Sequence, residues 1–419
     1  MDELYTCNVT QFMRTFKSES WAFILVCTYL FFEYVRPQSI YPAISEFSFV
    51  PVILGLAILM AIVDGRDAFR RKGNINDKLI VLYSFVVLLS SVTSQYPSLS
   101  FSQWRAFFDW FLIYFIITAI VNNEKRFFLF FALFLLFSFK MSQHGFRTWA
   151  MRGFSFATWG VTGAPGWFQN SGEVGIQMCI FVPLAVAFIV AVRKFVTKKW
   201  FCFLLVMPFT GIATAIASSS RGALIGLGAA GVWAILRRPK IFFVGAMILA
   251  IVASGVYLAI PENSMERFET SGNDNTSLQR LERWKAGIKV MGQFPLLGVG
   301  FNAWDKYYPA HFNIEHRGSL LMHNIFIQCG SELGYSGLIV FIAMIFSCLL
   351  ITKKIRKLAK GKSDQFLSTI SYGFDSALIG FLVSGSFVTV LYYPYFWIHC
   401  ALTTCLYTSA YKKYALQKP

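Results

Sequence analysis

The chain has 419 residues, 56% of them hydrophobic and only 14% charged, with 45 phenylalanines and a mean hydropathy of +0.55. A soluble domain carries about 25% charged residues, so a water-facing surface over most of this chain is excluded. The formal charge of +17 admits two causes: a polyanion partner such as nucleic acid, or the Lys and Arg excess that holds membrane loops inside.

Apolar runs of roughly 20 residues can cross a ~30 Å hydrocarbon core as helices. Twelve such spans are predicted, at about 20–36, 47–64, 78–94, 104–121, 127–143, 173–192, 200–217, 221–236, 241–260, 331–352, 372–391 and 394–411. With the N-terminus inside, every inside segment is basic, from Arg14 and Lys17 through Arg66, Arg70, Arg71, Lys72 and Lys78 to Lys412, Lys413 and Lys418. The basic and acidic residues outside these segments cancel. The charge excess is therefore topogenic and does not argue for nucleic acid; both termini are expected in the cytoplasm. The hydrophilic lead with Arg14 and Lys17 suits an uncleaved first helix. The eight cysteines lie mostly within spans and form no CxxC pair, so they read as packing residues.

Two outside segments, about 144–172 and 261–330, exceed what a connector needs, and such loops carry function on a rigid scaffold. All five histidines (144, 311, 316, 323 and 399) fall on or near that side, which directs attention there for acid–base chemistry. Arg105 and Asp109, spaced i,i+4, read as an ion pair. Arg147 and Arg152 are candidate anion ligands in the first long segment.

Ser218-Ser219-Ser220-Arg221 joins the seventh and eighth spans in a tight hairpin. An isolated arginine there would snorkel to water. With serine hydroxyls and a helix start beside it, it also suits a phosphate, whose oxygens match a guanidinium fork. In the second long segment, Thr276-Ser-Leu-Gln279 resembles a capping box, and Leu278, Leu281, Ile288 and Met291 follow with helical spacing. An amphipathic helix over 276–291 is predicted along the membrane surface, with Arg280 and Arg283 on one face. Gly298-Val-Gly300-Phe-Asn-Ala303 matches a dinucleotide fingerprint in form only, for want of a strand before it, and reads as a tight turn. His311, His316 and His323 lack zinc-site spacing and cysteine partners. His323-Asn324 opens a further apolar helix, where His323 is a structural cap or a catalyst. Arg317 and Asn324 are additional binding candidates.

Three patches together resemble the O-antigen ligase/polymerase family of bacterial integral-membrane glycosyltransferases: Ser218 to Ala223, Arg280 to Gly300, and His323-Asn324 through Glu332, Gly334 and Gly337. They fall within 200–352, expected as the O-antigen ligase-related core of a single integral-membrane domain over 1–419, with 261–330 as a periplasmic loop. The resemblance implies an all-α, GT-C-like polytopic membrane protein in the bacterial inner membrane with a periplasmic active site. It implies a donor glycan on undecaprenyl diphosphate bound by Arg221 and Arg280, with Ser220 and Arg283 beside them, and a hydroxyl of lipid A-core or another glycan activated by His323. No metal or other cofactor is expected. O-antigen ligation is the leading expectation. A repeat-unit polymerase and a protein O-oligosaccharyltransferase share its donor chemistry, whereas a lipid-linked glycan transporter would instead employ the intramembrane carboxylates Glu33 and Asp375.

Overall fold

The computed structural model describes residues 1–47, 49–64, 71, 73–156, 160–237, 275–312 and 320–414. Among these residues the chain is helical, with no strand. The principal helices are α1 (Trp21–Tyr34), α2 (Phe49–Val63), α3 (Ile75–Val92), α4 (Arg105–Ile120), α5 (Glu124–Met151), α6 (Ser171–Val192) and α7 (Lys198–Ala217). They continue with α8 (Arg221–Arg237), α9 (Asn275–Gln293), α10 (Trp304–His311), α11 (Ile325–Lys360), α12 (Gln365–Gly385) and α13 (Pro394–Tyr414). Six of them (α3, α5, α6, α7, α11 and α12) are long and apolar enough to cross a membrane. The chain is a multi-pass membrane protein. The expected span 241–260 lies outside the described residues.

Helices α6 and α13 are buried almost all round and form the centre of the bundle. α6 packs chiefly on α12, and α12 on α8; α5 packs on α7, and α11 on α3, α12 and α13. In lipid, helix association rests on close packing rather than on apolar burial, which favours small residues at the seams. A β-carbon on Gly226 of α8 would stand 2.7 Å from Gly380 O of α12, and one on Gly373 would stand 2.3 Å from Ala187 Cβ of α6.

Two expectations change. α5 continues to Met151, so Arg147 is helical and exposed, and Arg152 caps the helix rather than lying in a loop. The predicted span 372–391 is displaced: α12 starts at Gln365, capped by Asp364 Oδ1 accepting from Leu367 N–H at 3.0 Å, and ends at Gly385. Residues 386–393 are a loop, because the β-branched run Val388-Thr389-Val390 and the approach to Pro394 disfavour helix. The apolar stripe expected on α9 divides between its exposed and buried sides. Leu278, Leu281 and Ile288 are exposed, while Arg283, Ala286, Val290 and Met291 are buried. Exposed apolar residues opposite a buried arginine suit a helix lying along an interface, as expected.

α11 breaks its helical path at Gly334 (φ 68, ψ −172). The kink leaves backbone groups to be paired elsewhere. Ser331 O and Glu332 O accept from Val299 N–H (2.9 Å) and Gly300 N–H (3.2 Å), and Tyr335 N–H donates to Pro295 O (2.7 Å). The glycine-rich stretch is thus the partner of a broken helix. At Gly298 (φ 67) a β-carbon would stand 2.4 Å from Glu332 C. Gly298→Ala should destabilise the protein by about 2–4 kcal/mol, from left-handed strain and backbone overlap together. Gly292→Ala, where a β-carbon meets nothing within 4 Å, should be neutral or slightly stabilising; detergent-solubilised melting curves compare the two.

Candidate active site

The turn after α7 is shaped by its own serines. Ser219 takes a left-handed φ of 52. The Ser218 hydroxyl donates to Ala215 O (2.7 Å) and accepts from Ser220 N–H (3.3 Å), while Ser220 Oγ accepts from Ala223 N–H (3.3 Å). These hydroxyls build the turn that launches Arg221 at the head of α8, so their first task is structural. Val161 N–H donates to Ala217 O at 3.0 Å, laying the 160–161 segment over the turn. Arg147 and Arg152 lie near the same turn, at the end of α5, where Trp149 packs with Val161, Ala213 and Ala217.

Helix α9 crosses the N-terminal part of α11. Gly287 permits contact with Met322 and Ile327, and Trp284 Nε1–H donates to Met322 O at 3.0 Å. Arg280, Trp284, Gly287 and Met291 recur at i, i+4, i+7 and i+11, the face that α11 covers. Arg283 is buried one step round the helix, beside the cluster of Ala286, Val290, Trp304 and Tyr308. Its Nε has no hydrogen-bond partner among the described residues.

His323 immediately precedes α11, half-buried, in a left-handed conformation (φ 53) that few non-glycine residues adopt. Asn324 follows as the N-cap, its Oδ1 accepting from Phe326 N–H (2.9 Å) and Ile327 N–H (3.1 Å). Asn324 therefore has a structural duty. His323 N–H donates to Thr389 Oγ1 at 2.7 Å. Burial first, and then the positive charges of Arg280 and Arg283, push the imidazole pKa from its usual 6.5 down to about 3. At neutral pH the ring is neutral, with a nitrogen lone pair to accept a proton. Glu332 does not join it. Its carboxylate lies deeper in α11 and accepts from Tyr392 Oη at 2.8 Å.

The loop 386–393, which the hydropathy pattern hides inside a span, joins the three patches. Thr389 holds His323; the Phe387 ring lies 6.4 Å from that of Trp284 on α9; and a β-carbon on Gly222, next to Arg221, would meet Phe387 Cβ at 2.8 Å. Its remaining signal in sequence is the β-branched triplet ahead of Pro394. His311 stacks on Tyr307 (4.0 Å), with Nδ1 3.0 Å from Tyr307 O; Arg317 and His316 lie outside the described residues.

Residues 209–342 match the family model described as O-Antigen ligase. That stretch, about a third of the chain, is similar to the O-antigen ligase family. No curated protein matches it. The O-antigen ligase match assigns the chain broadly to glycosyltransferases of the ligase/polymerase type, which use lipid-linked glycans in a membrane. The ligase-matched stretch holds Arg221, Arg280, Arg283, His323 and Asn324, and ends before the 386–393 loop, which touches Gly222, Trp284 and His323.

Proposed function

We propose that the protein transfers a glycan from undecaprenyl diphosphate to a sugar hydroxyl at the periplasmic face of the bacterial inner membrane, with O-antigen ligation to lipid A-core as the leading reaction. The topology that goes with this reading has twelve spans in a GT-C-like arrangement, with both termini cytoplasmic. One observation carries it: His323, held at the head of α11 by Thr389 Oγ1 at 2.7 Å, stands within reach of the charges of Arg280 and Arg283. The acceptor oxygen attacks the anomeric carbon while His323 takes its proton. The bond from that carbon to the diphosphate oxygen breaks, and undecaprenyl diphosphate departs with the bonding electrons. Arg221 and Arg280 neutralise the developing charge, a role that needs donors already in place and that guanidinium groups can fill without a metal. Attack opposite the leaving group inverts the anomeric centre. Ser220 and Arg283 border the diphosphate, while Arg147, Arg152, Arg317 and Asn324 remain candidates for the rest of the substrate.

Of the two carboxylates a transporter would employ, Asp375 is engaged otherwise. Asp375 pairs with Arg356 (2.8 Å) and accepts from Thr352 Oγ1 (2.5 Å), and Glu33 lies beside Arg36 (3.9 Å). Reconstitution with undecaprenyl-diphosphate glycan and two acceptors tests the reading. Transfer to lipid A-core supports a ligase; extension of a second lipid-linked repeat supports a polymerase; movement of donor without transfer overturns the enzyme. Activity abolished by EDTA and restored by a divalent ion would overturn the metal-free step.

Thr389→Val removes the hydroxyl that holds His323 and should lower kcat about tenfold, the loss of one buried hydrogen bond. Thr389→Ser should retain most activity. Equal loss in both variants would separate the hydroxyl from the effect.

A further inference from the structure

At the C-terminal end of α1, four polar side chains point to a site of their own. Tyr29 and Glu33, one turn apart, are 0% and 3% exposed. Among the described residues, Tyr29 Oη, Glu33 Oε1, Arg36 Nε and Gln38 Oε1 are all buried without a hydrogen-bond partner. Arg36 Nη1 stands 3.9 Å from Glu33 Oε1, too far for a hydrogen bond between them. Buried polar atoms are costly to leave unpaired, and four within ten residues of chain mark a place where something else is bound.

The surroundings define its chemistry. Arg36 takes a left-handed φ of 51, and its guanidinium lies against Gly166 (φ 105), where a β-carbon would stand 2.4 Å from Nη2. Half-exposed Trp167 lies beside it, 5.9 Å from ring centre to Arg36 Cζ. Trp110 (5.6 Å) and Tyr393 (4.9 Å) hold the indole edge-on, and Tyr395 Oη donates to Trp167 O at 2.6 Å. Two donors and two acceptors with balanced charge beside an aromatic ring suit a neutral pyranose, whose hydroxyls both give and accept and whose C–H face packs on an indole. A diphosphate would meet the Glu33 carboxylate, and a lipid tail would leave all four atoms unpaired.

We propose that Tyr29, Glu33, Arg36 and Gln38, walled by Trp167, form a subsite for a neutral sugar ring of one of the two glycan substrates. It rests on the glycosyl-transfer reading and extends it: Tyr393 ties Trp167 to the loop on which Thr389 holds His323. The glycan belongs to donor or acceptor, and steady-state kinetics separate them.

The test uses full-length protein in liposomes, with undecaprenyl-diphosphate glycan as donor and lipid A-core or a second lipid-linked repeat as acceptor. Glu33→Gln keeps the shape and removes the charge; Tyr29→Phe removes only a hydroxyl, so folding should survive. Each should raise KM for one glycan roughly tenfold, with the other KM and kcat within about twofold. A rise in acceptor KM identifies the acceptor, and a rise in donor KM the donor. Active wild type with both KM values unchanged in both variants overturns the subsite, leaving ordered water as the occupant. A fall in kcat alone overturns it too. Wild type inactive toward both acceptors overturns the glycosyl-transfer reading and the subsite together.

Discussion

His323→Ala in reconstituted protein should lower glycan transfer about 10²–10⁴-fold, the usual contribution of a positioned general base. The pH dependence is the sharper measurement. An ordinary histidine loses its base function as pH falls through about 6.5. Burial, Arg280 and Arg283 push that transition in His323 down to about 3, so the neutral form persists across the mildly acidic range. For the free enzyme, kcat/KM should therefore stay level from pH 7 to 5 as far as His323 is concerned. A bound diphosphate brings negative charge next to the two arginines and offsets their effect on the ring. The acidic transition in kcat should thus lie at higher pH than that in kcat/KM. A conventional fall in kcat/KM near pH 6.5, absent in His323→Ala, would contradict the environment assigned to the ring.

Arg280→Ala should lower kcat by about 10²–10³, the range for losing a preorganised charge-stabilising donor. Arg221→Ala should act similarly, and lysine at either position should recover only part, because an ammonium lacks the guanidinium fork. Arg280→Ala has a second consequence. It removes one of the charges that hold the imidazole neutral, so the acidic transition in kcat/KM should move to higher pH. Arg221→Ala should leave that transition nearly in place. The pair of variants thus separates diphosphate binding from tuning of the base; identical pH profiles in Arg280→Ala and wild type would refute the tuning.

Much of this was legible in the residues one by one. A run of twenty apolar residues has few alternatives to a membrane helix, so α6, α7 and α8 were found within a few residues. The helix 275–293 and the arginine pair on it followed from spacing. Arg105 and Asp109 do pair, at 3.7 Å. What hydropathy lacks is direction. Val388-Thr389-Val390 is as apolar in a loop as in a span, so the segment that joins Arg221, Trp284 and His323 passed for membrane helix. Lipid and protein interior reward the same residues, so hydropathy does not separate the exposed leucines of α9 from its buried Met291.

Glu33 illustrates the remaining difference. In sequence it is a carboxylate in an apolar run, a suspect for transport. In the fold it sits at a helix end with Arg36, opposite a tryptophan that lies far along the chain. By themselves the residues determined the class of molecule and the expected sidedness from basic loops, because composition and local spacing carry that information; the choice of His323, Arg221 and Arg280 among the candidates came from the family resemblance. Only the tertiary structure decided that Arg280, Arg283 and His323 share one electrostatic site, that Gly298 and Gly300 serve a broken helix, and that Thr389 anchors His323. Those are contacts between distant segments, set by packing and by the need of every buried backbone group for a partner.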